Sequence, residues 1–283
     1  MSLNSVNTNM GAMIALESLN ATNSQLAAVQ KQVSTGYRVA DATDDGAAYA
    51  VAQGVRSSVS ALTAANQQLG GVQGLLSTTS SALNDVSNTM ASMRDVLVDL
   101  ANGNTTGNQR TQYEQQYNSL LANVKSFVED ADYNGKTLVG NITGSSGTFS
   151  SVSVIRNEVG STYGIATFSG SAMFSSLSFT STQLNGASTV AALITATGTF
   201  LNQMNSVDSA MNTYGAATNY INNQISYNSD KINALNSGLG SLVDANLAQE
   251  SAQLTALQIR QQLGTQALTL ANQAPQTLLS LFK

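Results

Sequence analysis

Asp44 and Asp45 stand side by side in the polar stretch Asp41 to Gly46, a carboxylate pair that suggests general acid and base chemistry or Ca2+ ligation. The ordered oxygen ligands of a calcium loop do not follow them, so N-capping of the next helix is the stronger reading. The chain contains no His and no Cys. It therefore lacks the usual general base, the commonest metal ligand, any thiolate metal site and any disulfide. No catalytic residue, cofactor-binding residue or metal ligand is assigned, and function falls to surfaces instead of a reaction centre.

Composition narrows the class of partner. Only 10% of residues are Asp, Glu, Lys or Arg, against about a quarter in an ordinary soluble chain. Asn, Gln, Ser, Thr and Ala replace them, so long-range repulsion between copies is weak. The net charge of −5 and the absence of a Lys/Arg cluster argue against nucleic acid, whose phosphates need clustered cations. No run approaches the ~20 apolar residues of a membrane span. The start, Met1-Ser2-Leu3-Asn4-Ser5-Val6-Asn7, has neither a basic n-region nor an uninterrupted apolar core, so secretion would require a dedicated export machine.

Helical periodicity dominates the pattern. Val55, Leu62, Leu69, Leu76, Leu83, Met90 and Leu97 lie seven residues apart, and Ser58, Ala65, Val72, Thr79, Val86, Met93 and Leu100 follow three residues after each. Apolar a and d columns over so many turns predict a long helix in a bundle or coiled coil. At 1.5 Å per residue it would reach roughly 70 Å. A second column runs through Met204, Met211, Thr218, Ile225, Ile232 and Leu239, accompanied by Phe200, Val207, Tyr214, Ile221, Asn228, Leu235 and Leu242. Its similar length predicts that the two helices lie side by side. A register step then predicts a hinge from Asn236-Ser237-Gly238 through Asp244-Ala245-Asn246. Near the other end, Ser34-Thr35-Gly36 stops the first helix.

Between the long helices lies a shorter one, about Gln109 to Asp130, and then a Gly-, Ser- and Thr-rich stretch from Tyr133-Asn134-Gly135 to Asn185-Gly186. Alternating runs there, Val152 and Val154 with Tyr163 and Ile165, read as β-hairpins. The organisation is palindromic: a terminal helix over 1–40, rod helices over 41–135, a small β-rich insert over 136–187, a rod helix over 188–240 and a terminal helix over 241–283. The fold class is mainly α: a long antiparallel helical rod, coiled-coil-like, with a terminal helical hairpin and a small β-hairpin insert.

The two ends carry apolar faces with too little chain of their own to cover them. Leu3, Val6, Met10, Met13 and Ile14 space like one helix face, continued by Leu19, Leu26 and Val33. Leu254, Leu257, Leu268, Leu278, Leu281 and Phe282 form its counterpart. These residues are expected to pack between subunits. Gly11 and Gly264, inside helical patterns at a cost of about 1 kcal/mol each relative to Ala, suggest close helix approach. Pro275 either kinks or stops the last helix.

Specific motifs agree. Leu26 to Gly36, ending Val33-Ser34-Thr35-Gly36, then Asp44-Asp45-Gly46-Ala47-Ala48 and Val55-Arg56-Ser57, resemble the N-terminal region of bacterial flagellins. Leu242-Val243-Asp244-Ala245-Asn246-Leu247-Ala248-Gln249-Glu250-Ser251, Leu270-Ala271-Asn272-Gln273-Ala274-Pro275-Gln276 and the ending Leu278 to Lys283 resemble the C-terminal region. The short middle is similar to the compact flagellins of α-proteobacteria. The resemblance implies a secreted structural subunit, not an enzyme, polymerising with itself into the extracellular flagellar filament, its terminal hairpin in an inner tube. It further implies a flagellin export chaperone, the flagellar type III export apparatus, and filament cap and hook junction proteins as partners.

Two departures stand out. Asp41 replaces a small polar residue and Thr43 replaces a Lys, so neighbour salt bridges there are expected to differ. Arg94 matches the segment read by the animal flagellin receptor, but Ser92 replaces a second Arg and Asp99 a Gln, which implies weak activation. The rivals are a hook-filament junction protein and a soluble coiled-coil adaptor.

Overall fold

A computed structural model describes the backbone of residues 8–281 and side chains as far as Gln273. The described residues form eight helices and four short strands, mainly α with a small β insert. In order these are α1 (Met10–Thr35), α2 (Gly46–Ala101), α3 (Gly107–Glu129), β1 (Lys136–Thr137), β2 (Thr148–Phe149), β3 (Val152–Ile155), β4 (Thr162–Ile165), α4 (Gly170–Leu177), α5 (Ser181–Asn185), α6 (Ala187–Leu193), α7 (Thr199–Val243) and α8 (Leu247–Leu281). Two compact units divide them: Met1–Ser58 with Asn233–Lys283, and Val59–Ile232.

In the second unit, Leu62, Leu69, Leu76, Leu83, Met90 and Leu97 of α2 are fully buried, as are Thr79, Val86, Met93 and Leu100 of the companion column. Each such Leu or Met contributes about 1.5–3 kcal/mol by leaving water. On α7 the companion column, Phe200, Val207, Tyr214, Ile221 and Asn228, is the deep one, while Met204, Met211, Thr218 and Ile225 are half-buried. Gln73 donates to Asn222 and Asn228 donates to Asn66, each at 2.8 Å. Numbers rise along α2 as they fall along α7, so within this unit the helices run antiparallel. Tyr117, Leu121, Val124 and Val128 of α3 close the same core. The buried guanidinium of Arg110 donates to Leu100 O at 2.9 Å and Leu184 O at 2.8 Å, so a cation meets carbonyls at the C-terminal ends of α2 and α5.

The insert is only partly β. Asn134 and Gly135, both at positive φ, make the tight turn between Tyr133 and Lys136 that the Asn-Gly pair favours. β1 and β2 pair in parallel, while β3 and β4 pair antiparallel with Val152 opposite Ile165 and Ile155 opposite Thr162. From Gly170 onward, where hairpins are predicted, the chain is helical. Ser169 accepts the N–H of Ala172 to start α4, and Thr180 with Gln183 forms a capping box at α5. Val139, Val154, Ile165, Met173, Leu177, Leu184 and Val190 join the core of α2, α3 and α7, so the insert has no separate core.

Three boundaries are fixed by local bonds and packing, and only the hinge between α7 and α8 differs from expectation. α2 begins at Gly46, where the Asp44-Asp45 pair predicts a cap: Asp45 Oδ1 accepts the N–H groups of Ala47 and Ala48 at 3.1 and 3.0 Å, and an Ala-rich turn follows. α7 continues through Gly238 to Val243, held by Leu239 and Leu242 against the small core of Val39, Ala48, Ala52 and Val243. The break is confined to Asp244–Asn246. α8 runs through Pro275 without stopping.

Candidate assembly interface

The candidate site is built on α1 and α8, the helix pair of the first unit. Asn9 caps α1, accepting the N–H of Ala12 at 3.1 Å while its amide donates to Ala271 O at 2.8 Å. Further along, Gln261 donates to Asn23 Oδ1 at 2.7 Å. These pairings set an antiparallel register. On α1 the sheltered positions are Ala12, Ala15, Leu19, Thr22, Leu26, Val29 and Val33; on α8 they are Glu250, Leu254, Leu257, Gln261, Gly264, Leu268 and Ala271. Steps of three and four make both sets heptad seams facing each other. A Cβ on Gly264 would sit 3.2 Å from Leu19 Cδ1, so that glycine does admit close approach, whereas Gly11 has looser neighbours.

The sequence-predicted residues therefore fall into two groups. Met10, Met13 and Ile14 are exposed, and with Leu16, Glu17 and Asn20 they line an open groove of about 410 Å3. Leu19, Leu26, Val33, Leu254, Leu257 and Leu268 instead lie on the α1–α8 seam, because each helix supplies the other's partner chain. Leu3, Val6 and Phe282 lie outside the described residues, as do the side chains of Leu278 and Leu281. Sequence reasoning missed Leu16, Ile259, Leu263 and Leu270, all exposed. Assigning the seam first would have found them, since Ile259, Leu263 and Leu270 form a second apolar line on α8. The seam is thin: only Thr22 and Val29 of α1 and Leu257 of α8 are buried among the described side chains. Leu19, Leu26, Val33, Leu254 and Leu268 are only half-buried, and Ala12, Ala15, Gln261, Gly264 and Ala271 bury little apolar area.

Where the pair meets the two breaks, the backbone is stapled. Gly36, at φ 75, ends α1 in the left-handed conformation that favours glycine. Ala245 N–H donates to Gly36 O at 3.0 Å, Arg38 N–H to Val243 O at 2.7 Å, and the Arg38 guanidinium to Leu242 O at 2.6 Å. Arg56 lies 6.0 Å from the centre of the Tyr37 ring. The connector between α1 and α2 folds around Lys31, which bonds Asp41 at 2.7 Å and Asp44 at 2.8 Å. Asp44 Oδ2 also accepts the N–H groups of Ala40 and Asp41, and Asp41 accepts from Thr43. Hydrogen bonding to the Lys31 ammonium holds the Asp41 carboxyl well below the usual carboxylate range and lowers Asp44, while the same pairing raises Lys31. The connector residues Asp41 and Thr43 thus bond within the chain and complete this cluster. Asp45 caps α2 as the sequence suggests, and its neighbour Asp44 ties the connector instead. Among the described residues no group of three or more acidic side chains is placed to hold a metal ion.

The N-terminal helical region of bacterial flagellin matches residues 6–143 and its C-terminal helical region matches residues 194–282. The chain belongs to the bacterial flagellin family. It is 30% identical to flagellin FljK of Caulobacter vibrioides, with the whole of both chains covered. It is 32% identical to a flagellin of Brucella melitensis over 99% of each. A putative flagellar hook-associated protein from Vibrio parahaemolyticus shares the fold, with a TM-score of 0.56 at 18% identity over 71% of this chain and 100% of that one. Both helices of the terminal pair lie in the regions that match the flagellin family, whereas residues 144–193, which hold β2 to α6, fall between them.

Proposed function

We infer that this flagellin is a structural subunit that polymerises with itself to build the flagellar filament used for motility. One observation carries the reading. α1 and α8 form a seam in which, among the described side chains, only Thr22, Val29 and Leu257 are buried, yet leave Met10, Met13, Ile14, Ile259, Leu263 and Leu270 uncovered, so neighbouring copies complete their burial. No enzymatic role is assigned. We further assign residues 1–40 and 241–283 to an inner tube, residues 41–135 and 188–240 to the surrounding helical layer and residues 136–187 to the outer surface. Secretion through the flagellar type III export apparatus, a chaperone holding the C-terminal segment, and cap and hook junction proteins at the filament ends are the expected partners. No helix among the described residues is long and apolar enough to cross a membrane.

The test is negative-stain microscopy and sedimentation of purified chain after seeding, beside a version lacking residues 250–283. Long filaments from the intact chain only are expected. A discrete soluble oligomer from both would overturn the filament reading and favour the junction or adaptor alternatives.

A further inference from the structure

The described methionines divide sharply by exposure. Met90 and Met93 are fully buried, Met173 is 1% exposed, and Met204 and Met211 are half-buried. Met10 and Met13, by contrast, are 52% and 59% exposed. They lie three residues apart on α1, so their thioethers share one helix face and one groove with Ile14 and Leu16. We propose that Met10 and Met13 form an oxidation site through which peroxide sets whether a subunit can assemble. The inference rests on the filament reading above.

The chemistry is a two-electron oxygen transfer. The thioether sulfur attacks one oxygen of hydrogen peroxide, the O–O bond breaks, that oxygen stays on sulfur as the sulfoxide, and the other leaves as water. Sulfur is oxidised, peroxide is reduced, and no other reactant is required. The product carries a polar oxygen that needs a hydrogen-bond donor once buried. Of the residues lining the groove, Asn20 alone supplies side-chain N–H donors; Glu17 is an acceptor and the rest are apolar. A neighbouring copy pressed onto an oxidised face would therefore bury unpaired oxygens where it now buries sulfur and methylene. Sites in the core of the other unit are shielded, and burial between copies would protect Met10 and Met13 once a filament has formed.

The experiment treats purified full-length chain with graded hydrogen peroxide, maps sulfoxides by peptide mass spectrometry and measures the critical concentration for seeded polymerisation by sedimentation. Expected are sulfoxides at Met10 and Met13 before Met90, Met93 and Met173, and a rise in critical concentration of about tenfold, or about 1.4 kcal/mol. Methionine sulfoxide reductases should reverse it, and preformed filaments should resist the same dose. The Met10→Leu/Met13→Leu double variant, close in volume and apolarity, should polymerise equally before and after treatment. Equal peroxide sensitivity in that variant, or unimpaired assembly of chain carrying both sulfoxides, would overturn the proposal. Failure of untreated parent chain to polymerise would instead sink the filament reading, and this inference with it.

Discussion

At the scale of single residues, the consequential groups are polar ones whose partners lie far away in sequence. Asn228 stands in an apolar column yet is fully buried, and its amide donates to Asn66 Oδ1 at 2.8 Å and Arg156 O at 3.0 Å while its oxygen accepts from Gln224 at 2.9 Å. It ties α2, α7 and the turn after β3 into one register, the role a buried polar residue plays in coiled coils. Asn228→Ala would strand three polar groups, and we expect a loss of about 1–3 kcal/mol, read from the urea midpoint of circular dichroism. An unchanged midpoint would mean that water replaces the amide without penalty. Heptad counting places Asn228 on the inner face, but nothing in the local sequence names Asn66 or Arg156 as its partners.

The Lys31 cluster yields a second prediction. A lowered folded carboxyl contributes stability that is present above the unfolded value of about 3.9 and lost as pH falls through the folded value. The raised Lys31 contributes stability that is present below about 10.4 and lost as pH rises through its folded value. The connector should thus hold from about pH 4 to about pH 10 and loosen outside that window. In a carboxyl NMR titration, Lys31→Ala should move Asp41 and Asp44 upward toward the ordinary range. Titration midpoints indifferent to that substitution would show that backbone donors, not Lys31, hold the carboxylates ionised.

At the scale of elements, close approaches decide what can be changed. A Cβ on Gly170 would fall 2.3 Å from Val139 O and 2.4 Å from Val128 Cγ1, so α4 cannot keep its seat with any side chain there. Gly170→Ala should cost about 1–3 kcal/mol in the same urea assay. Gly264→Ala presses only on the mobile Cδ1 of Leu19, at 3.2 Å, with Leu19 Cβ in ordinary contact at 3.9 Å, and the helix-propensity gain of about 1 kcal/mol offsets that contact, so near-neutrality is expected. A larger loss for Gly264→Ala than for Gly170→Ala would reverse this ranking. The long helices were legible because their apolar period repeats over many turns. α4 to α6 were not, since helices of five to eight residues show barely two turns of pattern and are held by caps at α4 and α5 and by burial of Met173, Leu177, Leu184 and Val190. The Thr180-Ser181-Thr182-Gln183 capping box was the readable clue.

At the scale of the whole molecule, the two units differ in how much apolar surface each encloses. The core of Val59–Ile232 joins α2, α3, α7 and the insert, whereas the α1–α8 seam buries few large side chains. A fragment of residues 59–232 should therefore unfold cooperatively on its own, and non-cooperative melting by circular dichroism would refute that. In the unassembled full chain, amides of 10–35 and 247–271 should exchange hydrogen far faster than those of 62–100, then slow on polymerisation. Equal protection before and after assembly would mean that the seam is self-sufficient.

The sequence by itself determined the mainly helical class, the heptad cores of α2 and α7, the β3–β4 pairing, the stop at Gly36 and the absence of His and Cys chemistry. All of these follow from local periodicity, turn residues or composition. Only the tertiary structure decided which face of each terminal helix is spent inside the chain. Leu254, Leu257 and Leu268 look as free as Ile259, Leu263 and Leu270 when α8 is read alone, because each set repeats at helical spacing. The antiparallel register set by Asn9, Asn23, Gln261 and Ala271 turns the first set toward α1 and leaves the second to solvent. A helix's own period fixes its stripes, but which stripe is covered depends on the rotation of its neighbour, and that is a property of two distant segments at once.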